Sequence, residues 1–402
     1  MSRIEHNLRH LRVFLAVVDH RSATVAAETC HVSQPAVSQA LGKLERQYGV
    51  SLFQRTAQGL DPTKYAAVLA HRVRRAFRYL DLGLNGLSPR LRLTATVAQL
   101  NALIAVRQAE NTILAARKMG VAQPTIHRSI SQLEKEAGRQ LFERTSHGLI
   151  ASKAGAALAA AAQLAFAELA QAEADLAEAQ GGEAGQIVIG AMPLSRSQLL
   201  PRAITRFRIS RPQLPIRALI GSYDELLAGL RRGEIDFLIG ALRDPPPIGD
   251  IEQKLLFYDS LVLVSRSDHP LVGNASVGLD DLAAYPWVVS HAATPTRRHF
   301  DRLFAGTDGP LSVVESSSLI LMRQLLIESD HLGCISRHQA EVEVAYGLMA
   351  VLPVEFPDTR RPIGITVRAD WAPTAAQQEM LDALEATAQE FATTGNLEFE
   401  TQ

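Results

Sequence analysis

The chain has 402 residues, 47% of them hydrophobic and 21% charged, with a formal net charge of −1. That length predicts roughly two to four domains, and the longest apolar runs, such as Ile187–Met192 and Leu261–Val264, are strand-sized and exclude a membrane span. Cys30 and Cys334 lie far apart without CxxC spacing, which excludes a disulfide framework and a zinc site; no metal or other cofactor is expected.

The near-neutral balance divides unevenly. Met1–Leu80 carries 12 Lys+Arg against 5 Asp+Glu, Arg90–Gly155 carries 10 against 4, and the chain after Gly155 carries 19 against 32. A basic front half and an acidic back half indicate nucleic-acid binding at one end. The amino terminus is polar before Val13, and Val13–Val18 is too short for a secretory signal, so a cytoplasmic protein is expected.

In chain order, Leu11–Asp19 has helical periodicity, and Ala23–Thr29 is a short second helix after Ser22 as N-cap. His31-Val32-Ser33 forms a turn. Ser33 caps a third helix that begins Gln34-Pro35, where the missing proline N–H costs nothing. Val37, Leu41 and Leu44 make its buried face, and Ser38 and Gln39 point outward. Ser51–Pro62, with Gly59 at its tip, reads as a two-stranded wing. This is the pattern of a winged helix-turn-helix, whose third helix enters the major groove of double-stranded DNA. Gln34 at the helix start suits an adenine edge and the serines suit either strand. Arg55 supplies a phosphate or minor-groove contact, with Thr56 beside it.

A basic helical run, Thr63–Leu82, ends at the connector "LNGLSPRL". The first pattern then returns. "VSQPAVSQALGKLE" (Val32–Glu45) aligns without a gap with "VAQPTIHRSISQLE" (Val121–Glu134), and "LFQRTAQGL" (Leu52–Leu60) with "LFERTSHGL" (Leu141–Leu149), a shift of 89 residues. Two copies make a duplication rather than a solenoid. In the second copy Gln123, Thr125, His127 and Arg128 occupy the outward surface and Arg144 the wing. Arg128 stands where the first copy has Gln39, favouring guanine over adenine, so the copies differ in the bases they suit.

Ala154–Gln180 is strongly helical. Leu158, Ala162, Ala165, Leu169, Ala172 and Leu176 alternate steps of four and three, the seam of a dimerising coiled coil. "GGEAG" (Gly181–Gly185) is the hinge. Beyond it, strands "IVIGA", "IRALIG" and "DFLIGA" alternate with helices over Arg196–Ile209 and Tyr223–Arg232. A second set follows from "SLVLVSR" (Ser260–Arg266), with helices near Thr296–Phe304 and Leu319–Ile327. Near-continuous apolar strands alternating with helices predict parallel sheets covered on both faces.

The stretch "SATVAAETCHVSQPAVSQALGKLERQYGVSLFQRT" resembles the amino-terminal domain of LysR-type transcriptional regulators. "LRRGEIDFLIG" (Leu230–Gly240) and "DHPL" (Asp268–Leu271) resemble motifs of that family's effector domain. The resemblance implies a dimerising linker helix and a two-lobed, periplasmic-binding-protein-like effector domain. Family members normally carry one helix-turn-helix domain; this chain departs by carrying two. The expected fold is therefore multidomain: winged helix-turn-helix units over residues 6–65 and 93–152, a helix and connector over 66–92, a linker helix and hinge over 153–184, and an α/β effector domain over 185–395. Lobe 1 is expected over about 185–250 plus 355–395, and lobe 2 over about 251–354.

In such sheets ligands sit beyond the carboxyl ends of strands, where helix N-termini present free N–H groups. The candidates are Pro193, Ser195, Arg196, Ser222, Tyr223, Thr294, Thr296, Arg297, Ser316, Ser317 and Ser318, facing an anionic or hydroxylated small-molecule effector. A helix-start serine taken singly is more often just an N-cap. The sequence shows no GxSxG, GxxxxGK[ST], HExxH or strand-linked GxGxxG, and nothing pairs His291 or His299 with a nucleophile. An α/β transferase or solute-binding-type enzyme fused to DNA-binding modules is the alternative. The expectation is a non-enzymatic, effector-controlled regulator acting on double-stranded DNA as a homo-oligomer, dimer or tetramer, with RNA polymerase as a further partner.

Overall fold

The computed structural model describes residues 6–57, 59–146, 148–292 and 294–399. The chain divides into two compact units, Met1–Gln186 with Arg232–Glu234, and Ile187–Arg231 with Ile235–Gln402. Among the described residues no helix is long and apolar enough to cross a membrane.

The first unit builds one local structure twice. Helices α1 (Leu8–His20), α2 (Ala23–Thr29) and α3 (Gln34–Tyr48) precede strands β1 (Phe53–Thr56) and β2 (Gly59–Pro62), and α4 (Lys64–Leu84) follows. A short α5 (Leu91–Thr94) leads to α6 (Val97–Ala109), α7 (Thr112–Met119), α8 (Gln123–Ala137), β3 (Phe142–Thr145), β4 (Gly148–Ala151) and α9 (Lys153–Ala179). Each strand pair is an antiparallel hairpin.

The residues that recur in the sequence are those that join the pieces. Glu45 Oε1 accepts from the backbone N–H of Leu52 at 2.8 Å, and Glu134 Oε1 accepts from Leu141 N–H at the same distance, each tying the third helix to its wing. Arg21 and Glu110 end the first helices in the left-handed region, at φ 53° and 50°. Their carbonyls accept from Leu60 N–H and Leu149 N–H in the wings. Gly59 and Gly148 pack on those carbonyls: a Cβ would stand 2.5 Å from Arg21 O and 2.8 Å from Glu110 O. Both glycines also hold positive φ, so the turn and the close approach together require glycine.

Helices α4 and α9 lie antiparallel against each other. Lys64 Nζ donates to Ala179 O at one end, Arg75 meets Glu168 in the middle, and Gly83 fits against Ala161 at the other end. The seam expected to dimerise two chains is thus filled from within one. Leu158, Ala162, Ala165, Leu169, Ala172 and Leu176 are all buried in the same core as Leu69, Val73, Ala76 and Leu80 of α4. The physical reason is the duplication itself: it gives the chain a second helix with a matching apolar face. Small side chains allow the close approach, since a Cβ on Gly83 would lie 2.3 Å from Ala161 Cβ. One continuous apolar cluster runs from Leu8 through both copies to Leu176, and each fully buried leucine in it contributes about 1.5–3 kcal/mol.

The second unit holds two five-stranded sheets. The first contains β5 (Ile187–Ala191), β6 (Ile216–Leu219), β7 (Phe237–Ala241), β8 (Ile251–Asp259) and β14 (Arg361–Arg368), in the order β6-β5-β7-β14-β8. The second contains β9 (Leu261–Ser265), β10 (Trp287–Val289), β11 (Val313–Glu315), β12 (Leu332–Ser336) and β13 (Ala350–Val351), ordered β11-β10-β12-β9-β13. Helices α10 (Leu199–Ser210), α11 (Tyr223–Arg231) and α16 (Ala375–Phe399) belong with the first sheet. Helices α12 (Leu279–Ala283), α13 (Pro295–Leu303), α14 (Leu319–Glu328) and α15 (Arg337–Ala345) belong with the second. Apolar clusters cover both faces of each sheet.

Two expectations are corrected. The sheets are mixed rather than parallel: β5, β6 and β7 run parallel, as do β10, β11 and β12, but β14, β8, β9 and β13 pair antiparallel. Strand β8, placed by the sequence reading at the start of lobe 2, pairs along its whole length with β14 in the first sheet. The chain therefore changes lobes at Asp259–Ser260. A strand's sheet depends on its long-range partner, which periodicity does not carry.

Candidate DNA-reading helices and effector cleft

In the first copy Ser33 caps α3, its hydroxyl accepting from Ala36 N–H at 3.4 Å. Val37, Ala40, Leu41 and Leu44 turn inward, which leaves Gln34, Pro35, Ser38 and Gln39 exposed on the opposite face. The second copy repeats this with α8: Ile126, Ile130 and Leu133 face the core while Gln123, Pro124, Thr125, His127 and Arg128 are exposed. Gln123, Pro124, His127, Arg128 and Ser131 line a shallow open groove.

The copies differ in detail. Ala122 stands where Ser33 stands and provides no side-chain cap. Gln123 Nε2 donates to Thr112 Oγ1 at 3.2 Å, and His127 Nδ1 lies 3.5 Å from Ser131 Oγ. Gln34 lacks the hydroxyl partner of Gln123, since the position matching Thr112 is Ala23. Arg55 and Arg144 are exposed at matching places in β1 and β3. Thr56 and Thr145 are committed locally, each hydroxyl donating to the carbonyl of its wing glycine.

The basic run of α4, by contrast, is divided: Arg72 is buried and Arg75 half-buried, while Arg74 and Arg78 are exposed. Arg72 is buried and donates to Asp175, Glu168 and Gln171 of α9 at 2.6, 3.1 and 2.7 Å. Arg75 pairs with Glu168 at 2.8 Å and Arg74 with Asp19 at 2.5 Å. Charge counting assigned these cations to a nucleic-acid footprint; the structure spends Arg72 and Arg75 on joining two helices. The signal that could have found this is the run of acids on α9, set against the arginines of α4.

In the second unit the effector candidates do follow the strand ends, and they divide into groups. Pro193 and Arg196 lie in a 3₁₀ turn, Pro193–Arg196, beyond β5, and Pro193 O accepts from Gln339 Nε2 of α15 at 3.3 Å. Gln198 Nε2 donates to His338 O at 3.0 Å. Thr296 Oγ1 accepts from Arg361 Nη1 at 3.2 Å, again joining the lobes. Arg196 is half buried, and that burial lowers its pKa.

Ser195 is a correction. It is fully buried with its hydroxyl donating to Met192 O at 2.8 Å, so it closes the turn and presents nothing to a ligand. Ser222 and Glu225 form a reciprocal cap at the start of α11. Tyr223 packs into the apolar cluster beside that helix, with the Arg243 guanidinium 4.6 Å from its ring centroid. Thr294 caps α13, accepting from Arg297 N–H at 3.2 Å, and Arg297 pairs with Asp301 and Glu315. Ser316 accepts from Ser318 N–H and Ser318 caps α14, while Ser317 is exposed.

Sequence reasoning missed the polar cluster where the chain crosses between lobes. Asp259 Oδ1 lies 3.0 Å from His338 Nδ1, and Asp259 Oδ2 3.2 Å from Arg361 Nη2. Burial opposes the charge on Asp259, but the hydrogen bond from His338 and the Arg361 guanidinium outweigh it and hold the carboxyl below its ordinary range. His338 packs against the rings of Phe257 and Phe391, at 4.9 and 5.3 Å between centroids. These partners are separated by 79 and 102 residues, and no local pattern links them.

Exposed polar helices with wings, coupled in one chain to two α/β lobes, define a DNA-binding regulator with a sensory domain. Residues 8–67 and 97–156 each match the family "Bacterial regulatory helix-turn-helix protein, lysR family", and residues 180–389 match "LysR substrate binding domain". The chain belongs to the LysR-type transcriptional regulators. It is 32% identical over 370 residues to the HTH-type transcriptional regulator GalR of Pseudomonas putida, covering 90% of this chain and 92% of that one. It is 30% identical over 299 residues to the regulator YdcI of Escherichia coli, covering 74% and 96%. Among solved structures, a full-length OxyR variant from Pseudomonas aeruginosa superposes with a TM-score of 0.53 at 24% identity, over 73% of this chain and 94% of that one. Full-length CbnR, solved with its target DNA, gives 0.50 at 22%, over 72% and 98%. Its curated relatives are regulators rather than enzymes, and the fused-enzyme alternative finds no support among them.

Proposed function

We propose that both winged units read DNA, with α3 and α8 as the reading helices, and that a small effector bound between the α/β lobes governs transcription. The observation that carries this reading is the matched presentation of the two helices. Each buries its apolar face, exposes a polar face beginning at a Gln-Pro pair, and stands beside a wing bearing an exposed arginine. That is the surface a winged helix-turn-helix offers to a major groove and its flanking phosphates.

The lobes resemble a periplasmic-binding-protein-like effector domain. Pro193, Arg196 and Thr296, at the junction between the lobes, are the best-placed of the candidate contacts, and the half-buried Arg196 favours an anionic or hydroxylated ligand. Ligand closure would redistribute the Asp259–His338–Arg361 contacts where the chain crosses between lobes and so shift the population of lobe arrangements. The setting is cytoplasmic, the working form a homo-oligomer, and RNA polymerase the downstream partner.

Footprinting of the full-length protein on its own promoter region, beside Gln34→Ala and Arg128→Ala, tests the DNA half. Each substitution should weaken specific binding by about 1–3 kcal/mol. An unchanged footprint with Arg128→Ala would reduce the second copy to a scaffold.

A further inference from the structure

The two linker helices are unequal, and the inequality selects their partner. Under the 89-residue shift Arg72 of α4 corresponds to Ala161 of α9, and Glu168, Gln171 and Asp175 of α9 correspond to Tyr79, Leu82 and Gly86. In the observed pairing Arg72, 2% exposed, meets all three polar groups, while at the opposite end Ala161 meets Gly83 in close contact. Two copies of α4 placed in this geometry would set Arg72 against Tyr79, Leu82 and Gly86, with no carboxylate to receive it. Two copies of α9 would bury Glu168 against Ala161 with no cation. A buried charge without a partner is strongly destabilising, so α4 pairs with α9 and neither pairs with itself.

The chain path fits closure within one molecule. The second copy lies between Leu84 and Lys153, and these ends of α4 and α9 sit together, as the packing of Gly83 on Leu158 and Ala161 shows. The antiparallel helices carry their wings in equivalent ways, through Thr63 N–H to Leu52 O and Ser152 N–H to Leu141 O. An approximate two-fold axis therefore relates α3 to α8, passing near Phe77 and its counterpart Phe166. Dimeric helix-turn-helix proteins read paired half-sites through such an axis.

We propose that a single chain occupies a complete two-half-site DNA target and that its half-sites are not equivalent, one read by α3 through Gln34 and Gln39 and the other by α8 through Arg128. This rests on the reading that both copies engage DNA. The target is double-stranded DNA lacking the inverted symmetry that a symmetric dimer of single-domain chains would require.

The test is selection of bound sequences from a random duplex pool by the full-length protein, repeated with Gln34→Ala, Gln39→Ala and Arg128→Ala. These residues are exposed, so the variants retain the fold. The expected motif is bipartite and non-palindromic. Gln34→Ala and Gln39→Ala should lower base preference in one half on the order of 10-fold, and Arg128→Ala should do so only in the other. A palindromic motif in which one substitution degrades both halves equally would overturn the inference while leaving DNA reading intact. Loss of preference confined to Gln34→Ala and Gln39→Ala would also overturn it, leaving one reading copy. Failure to enrich any motif would overturn the underlying DNA-binding reading.

Discussion

Arg72 and Glu168 meet at 3.1 Å with side chains 2% and 5% exposed, between the apolar rows of α4 and α9. Around them Asp175, Gln171 and Arg75 complete a network in which each charge has an opposite neighbour. Arg72→Met would leave Asp175 without its guanidinium and Glu168 with Arg75 as its remaining cation. The expected loss is about 3–5 kcal/mol, because the remaining partners stay buried. Arg74→Ala is the control: its pair with Asp19 is half exposed on both sides, and its loss should cost no more than about 1 kcal/mol. Urea unfolding followed by circular dichroism measures both, and equal effects would remove Arg72 from its assigned role.

The wing glycines make a second contrast. Alanine at Gly59 or Gly148 meets a backbone carbonyl at 2.5 or 2.8 Å and must also hold positive φ. Each substitution should destabilise its copy by more than about 1 kcal/mol. Gly42, inside α3, has no atom within 4 Å of the Cβ position, so Gly42→Ala should stabilise by up to about 1 kcal/mol through helix propensity. Thermal melts of the three variants should move in opposite directions.

The same contrast explains what the sequence made legible. Local signals sufficed for the two helix-and-wing units: Ser33 and Pro35 mark the start of α3, Gly49 and Gly138 its end and that of α8, and the glycine at each wing tip is demanded by backbone geometry. The seam of α9 was equally legible, but its partner was not. Periodicity says that Leu158 and Leu169 are buried and is silent on what buries them. The same limit misplaced β8, whose sheet is set by pairing with β14, about a hundred residues away. In the second unit, helix-start serines and threonines were sound as caps, as Ser222, Thr294 and Ser318 demonstrate.

A pH dependence follows from His6. Its Nε2 lies 3.4 Å from Glu173 Oε1, and its Nδ1 3.4 Å from the Tyr48 hydroxyl. Burial lowers its pKa from 6.5 to about 4. Between those values the unfolded chain binds a proton that the folded chain refuses, so stability falls as pH drops from 6.5 toward 4. The contribution has an upper bound on the order of 3 kcal/mol. His6→Gln should flatten this slope when urea midpoints are compared at neutral pH and near pH 4.5. A slope unchanged by the substitution would mean that His6 accepts its proton in the folded state.

The wing arginines separate positioning from reading. Arg55 and Arg144 are exposed at matching places on β1 and β3, beside helices whose exposed residues differ. A phosphate contact contributes to affinity through counterion release and carries no sequence information. Arg55→Ala and Arg144→Ala should therefore each weaken binding to all duplexes nearly evenly and lower the log–log salt slope by about 0.9, with the double variant losing about twice that. Base preference should stay as in the parent protein, unlike the effect of Gln34→Ala or Arg128→Ala. Titrations of one duplex over a range of salt concentrations measure the slope directly. If Arg55→Ala lowers it and Arg144→Ala does not, the second wing stands away from the backbone. If both lower it equally, the two copies grip the duplex alike and differ only in the bases they meet.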